Sequence, residues 1–469
     1  MARHVTILTG SGSGPTVPSP MHPAVGGGGL PAPALHAVPA QSGPDGDVAQ
    51  EHTAPGIRLV SLERGRRRRR RRVRWPIPVM AVLAMAIALG VQLTRPLPDV
   101  RIDGAAPVSF TVAGTAPSLP WPSTGQAAVS VPEAGVMVSS GPETAAPIAS
   151  LTKMMTAYLV LHDHPISPSQ TGAHIVMTAA DEQDAAKDSA GNDTSVPVAA
   201  GQSFTERQLL DGLLVHSAND FADALARWDA GTQAAFVGKM NDTASSLGMS
   251  DTRYTDPSGI DAGDVSTPQD QLRLARLAMD DPAFAAVVAQ PTITEPGAGM
   301  LINYVPAVGT NGVVGIKSGF TQAAQGCVVL AADRQVDGHT VLVLTAVTGL
   351  QGGWRPIEAA DAAGLALVNT AAGALHFRTL VVSGQREGRL SAPWTTRRPA
   401  LYTAGSVTTV VWPGTSWTST VTTRPLSHSV GAGATVGTLT MTNGQRRFEV
   451  PVRTESGVAA PSLGWRLEH

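Results

Sequence analysis

A serine and a lysine stand three residues apart in an otherwise apolar segment. Residues 146–161 read APIASLTKMMTAYLVL, and Lys153 is the only charged residue among them. A spacing of three places Ser150 and Lys153 on one face of a helix, one turn apart. Burial of a lysine favours its neutral amine, which can accept a proton. The pair therefore predicts a serine nucleophile that is activated by a neutral lysine.

The use of lysine in the whole chain supports this interpretation. The 469 residues include 34 basic side chains, and only four of these are lysines, at positions 153, 187, 239 and 317. A guanidinium stays protonated, whereas a desolvated lysine can lose its proton near neutral pH. We expect such a chain to keep lysine where arginine cannot serve. The alternative is that Lys153 is a core lysine whose ammonium reaches solvent.

Two further polar clusters follow along the chain. Residues 216–220, HSAND, interrupt an amphipathic helical pattern, and KSG at 317–319 follows the apolar run VVGI, as on a strand that opens into a cleft. Penicillin-binding proteins and class A β-lactamases combine Ser-x-x-Lys, Ser-x-Asn and Lys-Thr-Gly in this order. Here the third motif has serine for threonine, which keeps the hydroxyl. The alternative for Ser217 and Asn219 is a helix cap.

The chain resembles the low-molecular-mass penicillin-binding proteins, which are serine-type D-alanyl-D-alanine carboxypeptidases. Beside the three motifs, the similar blocks are PIASLTKMMTA, VPVAAGQSFTERQLLDGLLVHSANDFADALA, DPSGID, STPQD and GIKSGFT. The resemblance covers residues 125–376. It implies an α+β fold, with a five-stranded antiparallel sheet flanked by helices and an active site beside the edge strand.

The resemblance also implies catalytic roles. Ser150 would attack the carbonyl of the penultimate D-alanine, and Lys153 would take its proton. Ser217 would relay a proton to the departing nitrogen, while Asn219 would hold the substrate amide. The charge of Lys317 would lower the pKa of Lys153.

The resemblance also implies that Asn219 binds substrate, together with the residues of the third motif and three residues that follow it in the chain: Lys317, Ser318, Gly319, Phe320, Thr321 and Arg355. Backbone N–H groups of Ser150 and Phe320 would form the oxyanion hole. The hydroxyls of Ser318 and Thr321 would receive the terminal carboxylate, with help from Arg355. The alternative for Arg355 is a surface arginine ahead of a helix. The loop after Thr321 is one residue longer than expected, so its geometry stays open.

Hydrophobic periodicity predicts the elements that position these residues. We expect a hairpin at 128–140, amphipathic helices at 206–228 and 269–290, strands at 313–319, 326–333 and 340–348, and a closing helix at 356–375. Residues 377–469 contain short β-rich runs, and Asn443 with Gly444 predicts a two-residue hairpin turn. We interpret 377–469 as a small β-sandwich accessory domain.

The first part of the chain predicts a membrane anchor. Residues 1–74 have little to form a core and end in an arginine cluster, so we expect a disordered cytoplasmic tail. Residues 75–95 form the anchor, because a 19-residue uncharged helix spans about 28 Å. The arginines before it indicate that the domain lies outside the cell membrane. The alternative is a cleaved signal peptide. Residues 96–124, rich in Pro, Ser and Thr, would be a linker.

Composition argues against other partners. Residues 1–95 carry a charge of +8 and the remainder −10, so the distal part is not a polyanion-binding surface, and the anchor explains the arginines better than nucleic acid does. Cys327 is the single cysteine and lies in a predicted buried strand. His162 and His164 could bind a metal, but a solvated helix end is the preferred interpretation. We expect no cofactor and no metal.

These observations predict a single-pass, membrane-anchored serine carboxypeptidase. Its substrate would be the D-Ala-D-Ala terminus of peptidoglycan stem peptides, and β-lactams would inhibit it. A D,D-endopeptidase is an open alternative. A β-lactamase is disfavoured because no Glu-x-x-Leu-Asn stands between Asn219 and Lys317. A catalytically silent wall-binding module is disfavoured by the three intact motifs.

Overall fold

The computed structural model describes residues 6–7, 76–141 and 143–469. Two compact units divide the chain. Among the described residues, the first unit comprises 6–7, 97–141 and 143–461, and the second comprises 76–96 and 462–469.

The elements of the described residues are numbered in chain order. The strands are β1 (Thr6–Ile7), β2 (Arg101–Asp103), β3 (Val108–Thr111), β4 (Gln126–Val131), β5 (Val136–Ser139), β6 (Ala146–Pro147), β7 (His174–Val176), β8 (Ser203–Thr205), β9 (Val265–Ser266), β10 (Thr292–Glu295), β11 (Gly299–Ile302), β12 (Val313–Thr321), β13 (Gln325–Val336), β14 (His339–Leu350), β15 (His376–Val381), β16 (Arg386–Ser391), β17 (Ala400–Thr403), β18 (Val407–Val411), β19 (Ser416–Thr423), β20 (Thr435–Thr442) and β21 (Arg447–Thr454). The α-helices are α1 (Pro76–Thr94), α2 (Lys153–Asp163), α3 (Ala179–Gly191), α4 (Glu206–Asp211), α5 (Asn219–Ala230), α6 (Gln233–Ser246), α7 (Pro268–Met279), α8 (Pro282–Val288), α9 (Pro356–Ala372) and α10 (Leu463–Glu468). Short 3₁₀ segments lie at Pro132–Ala134 and Ala149–Thr152, and a π-helical turn lies at Gly212–His216.

An antiparallel sheet of order β1-β5-β4-β14-β13-β12 forms the centre of the first unit. The five predicted strands are confirmed, and the two-residue β1 adds to the outer side of β5. Side chains alternate between the two faces, as the period of a strand requires. Val329 and Ala331 pack into the core with α2 and α5, whereas Val328 and Leu330 pack into the core with α9. Both faces are therefore buried.

Each of the two long predicted helices is interrupted. The segment 206–228 divides into α4, the π-helical turn and α5, because Ser217 adopts a left-handed φ of +69° that no α-helix continues through. The segment 269–290 divides into α7 and α8, where the side chain of Asp281 accepts hydrogen bonds from the first N–H groups of α8. The predicted amphipathic pattern is confirmed. Its apolar spacing continues across both breaks, so it did not reveal where the helices are interrupted.

The accessory domain contains a seven-stranded antiparallel sheet of order β2-β16-β17-β21-β20-β19-β3 and a two-stranded sheet of β15 and β18. Val381 and Val407 of the smaller sheet share a core with Leu401, Trp417 and Leu439 of the larger one. This arrangement is the expected packing of two sheets face to face.

Residues 96–124 are not a simple linker, and that prediction is wrong. They supply β2 and β3, which pair with β16 and β19 at the two edges of the accessory sheet. Strands of three and four residues are too short for periodicity to reveal, and their partners stand about 290 and about 310 residues further along the chain. The accessory domain therefore includes residues from both sides of the catalytic domain.

The hairpin of β20 and β21 is confirmed, but its loop is longer than predicted. Thr442 pairs with Arg447, so residues 443–446 form a four-residue loop. The side chain of Asn443 accepts hydrogen bonds from the N–H groups of Gln445 and Arg446, and Gly444 has a φ of +91°. These local hydrogen bonds stabilise the wider turn.

In the second unit, α1 is long and apolar enough to cross a membrane, by length and composition. Arg466 of α10 donates a hydrogen bond to the carbonyl of Leu93 at 3.0 Å. The predicted tail at 1–74 lies outside the described residues, except for Thr6–Ile7.

Candidate active site

Ser150 lies in the 3₁₀ segment that leads into α2. The preceding residue, Ala149, has a left-handed φ of +49°, which costs a non-glycine residue about 1–2 kcal/mol. A Cβ atom at Gly259 would stand 2.0 Å from the carbonyl oxygen of Ala149, so only glycine permits this contact. The surrounding chain therefore holds the turn of Ala149 and Ser150, which carries the predicted nucleophile, in a strained and defined conformation.

Lys153 is fully buried and has three hydrogen-bond acceptors. Its Nζ lies 3.0 Å from Oγ of Ser150, 2.6 Å from Oδ1 of Asn219 and 2.6 Å from the carbonyl oxygen of Ser258. The side-chain oxygen of Asn219 and the carbonyl oxygen of Ser258 can only accept, so they hold the two hydrogens of a neutral amine. The lone pair then faces the hydroxyl of Ser150, as a general base requires.

Burial lowers the pKa of Lys153 to about 8, although the charges of Asp256 and Asp223 oppose this shift. About a tenth of the amine is therefore neutral at pH 7. Lys317 is also fully buried, and burial together with the charge of Lys153 holds its pKa well below the usual value. The prediction named the charge of Lys317 as the cause of the low pKa of Lys153, but burial is the main cause.

The second motif stands at the break between the π-helical turn and α5. Ser217 is buried in its left-handed conformation, and Asn219 is the first residue of α5. Because Oδ1 of Asn219 accepts from Lys153, its Nδ2 group is the part that can donate to a substrate carbonyl. The sequence did not predict the contact between Asn219 and Lys153.

The edge strand β12 passes directly beside the turn of Ala149 and Ser150. A Cβ atom at Gly319 would stand 2.8 Å from the backbone nitrogen of Ser150 and 3.1 Å from Cβ of Ala149. Glycine therefore keeps open the space in front of the Ser150 N–H group. Phe320 follows on the same strand, and an edge strand leaves some of its N–H groups unpaired by the sheet. The oxyanion hole formed by the N–H groups of Ser150 and Phe320 stays a prediction.

The two hydroxyls that are predicted to bind the substrate carboxylate differ in their hydrogen bonds. The hydroxyl of Ser318 donates to the carbonyl of Tyr304 at 2.5 Å, so it would have to rotate to donate to a substrate. The Oγ1 of Thr321 accepts from the N–H of Ala324 at 3.0 Å and keeps its own proton available. Gln325, with a φ of +57°, closes a three-residue loop at 322–324, which answers the question left open by the sequence.

Arg355 lies at the N-terminus of α9, with its guanidinium 3.0 Å from Glu358 and 5.0 Å from the ring of Trp354. Gly326 pairs with Phe320 across the sheet. A Cβ atom at Gly326 would stand 2.1 Å from the carbonyl oxygen of Pro356, the residue that follows Arg355. Arg355 is therefore at the same end of the sheet as the edge-strand motif. Its side chain is more than half exposed. The role in carboxylate binding stays a prediction.

Two aspartates that the sequence did not single out hold the loop behind Lys153. The carboxylate of Asp256 accepts hydrogen bonds from the N–H groups of Ser258 and Gly259, both at 2.6 Å. Fully buried Asp264 accepts from the N–H of Asp256 at 3.1 Å and from the hydroxyl of Thr152 at 2.8 Å. These bonds connect the loop to the helix of the nucleophile and direct the Ser258 carbonyl at Lys153. The DPSGID block was the available signal for Asp256, and Asp264 lies three residues beyond that block.

Within the described parts of the chain, no three His, Cys, Asp or Glu residues are arranged to hold a metal ion. His162 and His164 instead contact Asp163 and Asp229, at 2.7 Å and 3.2 Å. Cys327 is buried in β13, as predicted.

Comparisons with known proteins agree with this geometry. The D-alanyl-D-alanine carboxypeptidase family model matches residues 124–348. The D-alanyl-D-alanine carboxypeptidase DacB2 of Mycobacterium tuberculosis is 34% identical over 222 residues, which cover 46% of this chain and 71% of that protein. A Streptomyces D-alanyl-D-alanine carboxypeptidase is 35% identical over 165 residues, which cover 30% of this chain and 54% of that protein.

The crystal structure of the D-alanyl-D-alanine carboxypeptidase DacD from Francisella tularensis is similar in fold, with a TM-score of 0.53 and 20% identity. The match covers 73% of this chain and 95% of that one. With the three motifs assembled around one buried lysine, the chain belongs to the serine-type D-alanyl-D-alanine carboxypeptidase family, the low-molecular-mass penicillin-binding proteins.

Proposed function

We propose that this protein is a membrane-anchored carboxypeptidase that removes the terminal D-alanine from peptidoglycan stem peptides. The observation that carries the proposal is the position of Lys153. Its amine is buried, lies 3.0 Å from the hydroxyl of Ser150, and has two fixed acceptors for its remaining hydrogens.

The reaction proceeds through an acyl-enzyme. Ser150 attacks the penultimate carbonyl while Lys153 takes its proton. The N–H groups of Ser150 and Phe320 stabilise the oxyanion, and Ser217 passes a proton to the departing D-alanine. Water then attacks the ester, again with Lys153 as the base, and releases the shortened peptide.

The third motif and its neighbours bind the substrate. The terminal carboxylate is received by Thr321, Ser318 and Arg355, and its negative charge favours the ammonium form of the buried Lys317. This recognition of a free carboxylate is the basis of the preference for a peptide end over an internal bond.

The helix α1 anchors the enzyme in the cell membrane, with the arginine cluster on the cytoplasmic side and the catalytic domain outside. This location brings the site to its peptidoglycan substrate. Protease added to intact cells should cleave the domain that follows Arg95 and spare residues 1–74. A soluble mature protein that begins near residue 100 would contradict the anchor.

A D,D-endopeptidase activity is the second candidate. It is favoured by relatives that carry this name, including those of Haemophilus influenzae, 35% identical over 145 residues, and Escherichia coli, 28% identical over 233 residues. The alignments cover 46% and 71% of those proteins. An endopeptidase would cleave cross-linked dimers of stem peptides, whereas a carboxypeptidase would release free D-alanine from monomers.

Intact-mass measurement after mixing with benzylpenicillin tests the proposal. We expect one stable adduct that disappears in Ser150→Ala, together with release of D-alanine from a pentapeptide. Rapid hydrolysis of penicillin would instead indicate a β-lactamase. A folded protein that forms no adduct and releases no D-alanine would indicate a wall-binding module.

A further inference from the structure

A cavity of about 350 Å³ lies away from the three catalytic motifs, between α7, the hairpin of β4 and β5, and the loop of β20 and β21. The accessory domain therefore supplies one wall and the catalytic domain supplies the others. Three arginines line the cavity, and its lining contains no aspartate or glutamate.

One face of α7 provides the first wall. Gln269, Arg273 and Arg276 follow each other at spacings of four and three residues, which places them in one row along the helix. Arg273 pairs with the buried carboxylate of Asp270, so part of its charge is compensated. Arg276 is exposed and has no ion-pair partner among the residues that the structure describes.

The four-residue loop at 443–446 provides the opposite wall. Its Asn443 donates to the carbonyl of Ala134 at 2.8 Å, which fixes the loop to the catalytic domain. The loop carries Gln445 and Arg446 into the cavity. The Nε of Arg446 is buried without a hydrogen-bond partner, and the side chain forms no ion pair within the described ranges.

We propose that this cavity is a binding site for an organic phosphate. Asp270 pairs with Arg273, and Glu133 beside the cavity interacts with Arg446, so the three arginines leave an excess of about one positive charge, which attracts an anionic phosphate. Guanidinium groups present paired donors that fit phosphate oxygens, and Gln269 and Gln445 add amide donors. The apolar side chains of Leu247 and Leu277 form the rest of the wall and fit the carbon part of the ligand.

Two sources share this chemistry, a soluble phosphate ester and the repeating phosphate of a cell-wall polymer. A ligand in this cavity contacts both domains at once and would fix the accessory domain against α7. The site does not depend on the proposed reaction, since none of its residues belongs to the catalytic motifs.

Calorimetric titration of the full-length protein in detergent tests the proposal. Ser150 is first acylated with penicillin, so that the substrate-carboxylate site is occupied. We expect glycerol 1-phosphate to bind, and glycerol and succinate at equal ionic strength to give no comparable signal. Short poly(glycerol phosphate) distinguishes the sources: tighter binding than the monomer assigns the polymer, and equal or weaker binding assigns a soluble ester.

Variants locate the site. Arg276→Gln and Arg446→Gln should each weaken binding by at least about tenfold, because each removes a charged donor. Arg453→Gln removes an exposed arginine of β21 that does not line the cavity, and it should leave binding unchanged. Thermal unfolding confirms that each variant is folded. Absence of binding by the parent protein, or equal binding by folded Arg276→Gln and Arg446→Gln, would overturn the proposal.

Discussion

Replacement of Asn219 by aspartate tests the role of Lys153 through a change of charge at nearly constant shape. The Oδ1 atom of Asn219 accepts a hydrogen bond of 2.6 Å from Nζ of Lys153. Aspartate has nearly the same shape, so Asn219→Asp keeps the contact and adds one negative charge to it. A charge of opposite sign at this distance stabilises the ammonium and raises its pKa by about 1–3 pH units.

The size of the effect on the reaction follows from the pKa of Lys153, which burial lowers to about 8 in the parent protein. A rise of 1–3 pH units reduces the neutral fraction at pH 7 by about 10- to 1,000-fold. Because the neutral amine is the base in the proposed mechanism, acylation of Ser150 at pH 7 should slow by the same factor. The pH–rate profile should move to higher pH.

Acylation by fluorescent penicillin, measured from about pH 6 to pH 10, separates this effect from simple damage. Asn219→Asp also loses an amide donor, but that loss lowers the rate at every pH and leaves the midpoint unchanged. Asn369→Asp, on the exposed side of α9, makes the same chemical change away from the site. A folded Asn219→Asp protein with the midpoint of the parent would refute the assignment of Lys153 as the base.

Four other substitutions examine the site. Lys153→Arg should slow penicillin acylation by about 10²- to 10⁴-fold, since a guanidinium cannot accept the proton. A folded variant whose acylation rate is within a few-fold of that of the parent would mean that Lys153 has only a structural role. Gly319→Ala should slow acylation by about 10²-fold and also lower the thermal stability, because its Cβ would stand 2.8 Å from the backbone nitrogen of Ser150 and would force this turn to shift. An unchanged rate in the folded variant would exclude this oxyanion hole. Asp264→Asn should lower the free energy of unfolding by about 1–3 kcal/mol in denaturant titrations, and it should also slow acylation. A loss of stability without slower acylation would mean that the loop does not position Lys153. Arg355→Ala should weaken hydrolysis of a D-Ala-D-Ala peptide more than acylation by penicillin, and equal peptide hydrolysis would leave Arg355 a surface residue.

Local sequence patterns were enough to predict the chemistry and most elements of the catalytic domain. Motifs such as Ser150 with Lys153 are local in the chain, and a spacing of three residues is enough to predict a shared helix face. The strands β12, β13 and β14 and the helix α9 follow from runs of apolar residues that are continuous in sequence. These features depend on neighbours within one element, so they are visible without a fold.

Contacts between groups that are distant in the chain became visible only in the folded protein. Asn219 and Ser258 contact Lys153 across separations of 66 and 105 residues, and no periodicity encodes such contacts. The same reason applies to β2 and β3, whose short strands are stable only because they pair with the accessory sheet. The low pKa of Lys153 is likewise a tertiary property, since its main cause is burial by segments that are distant in the chain.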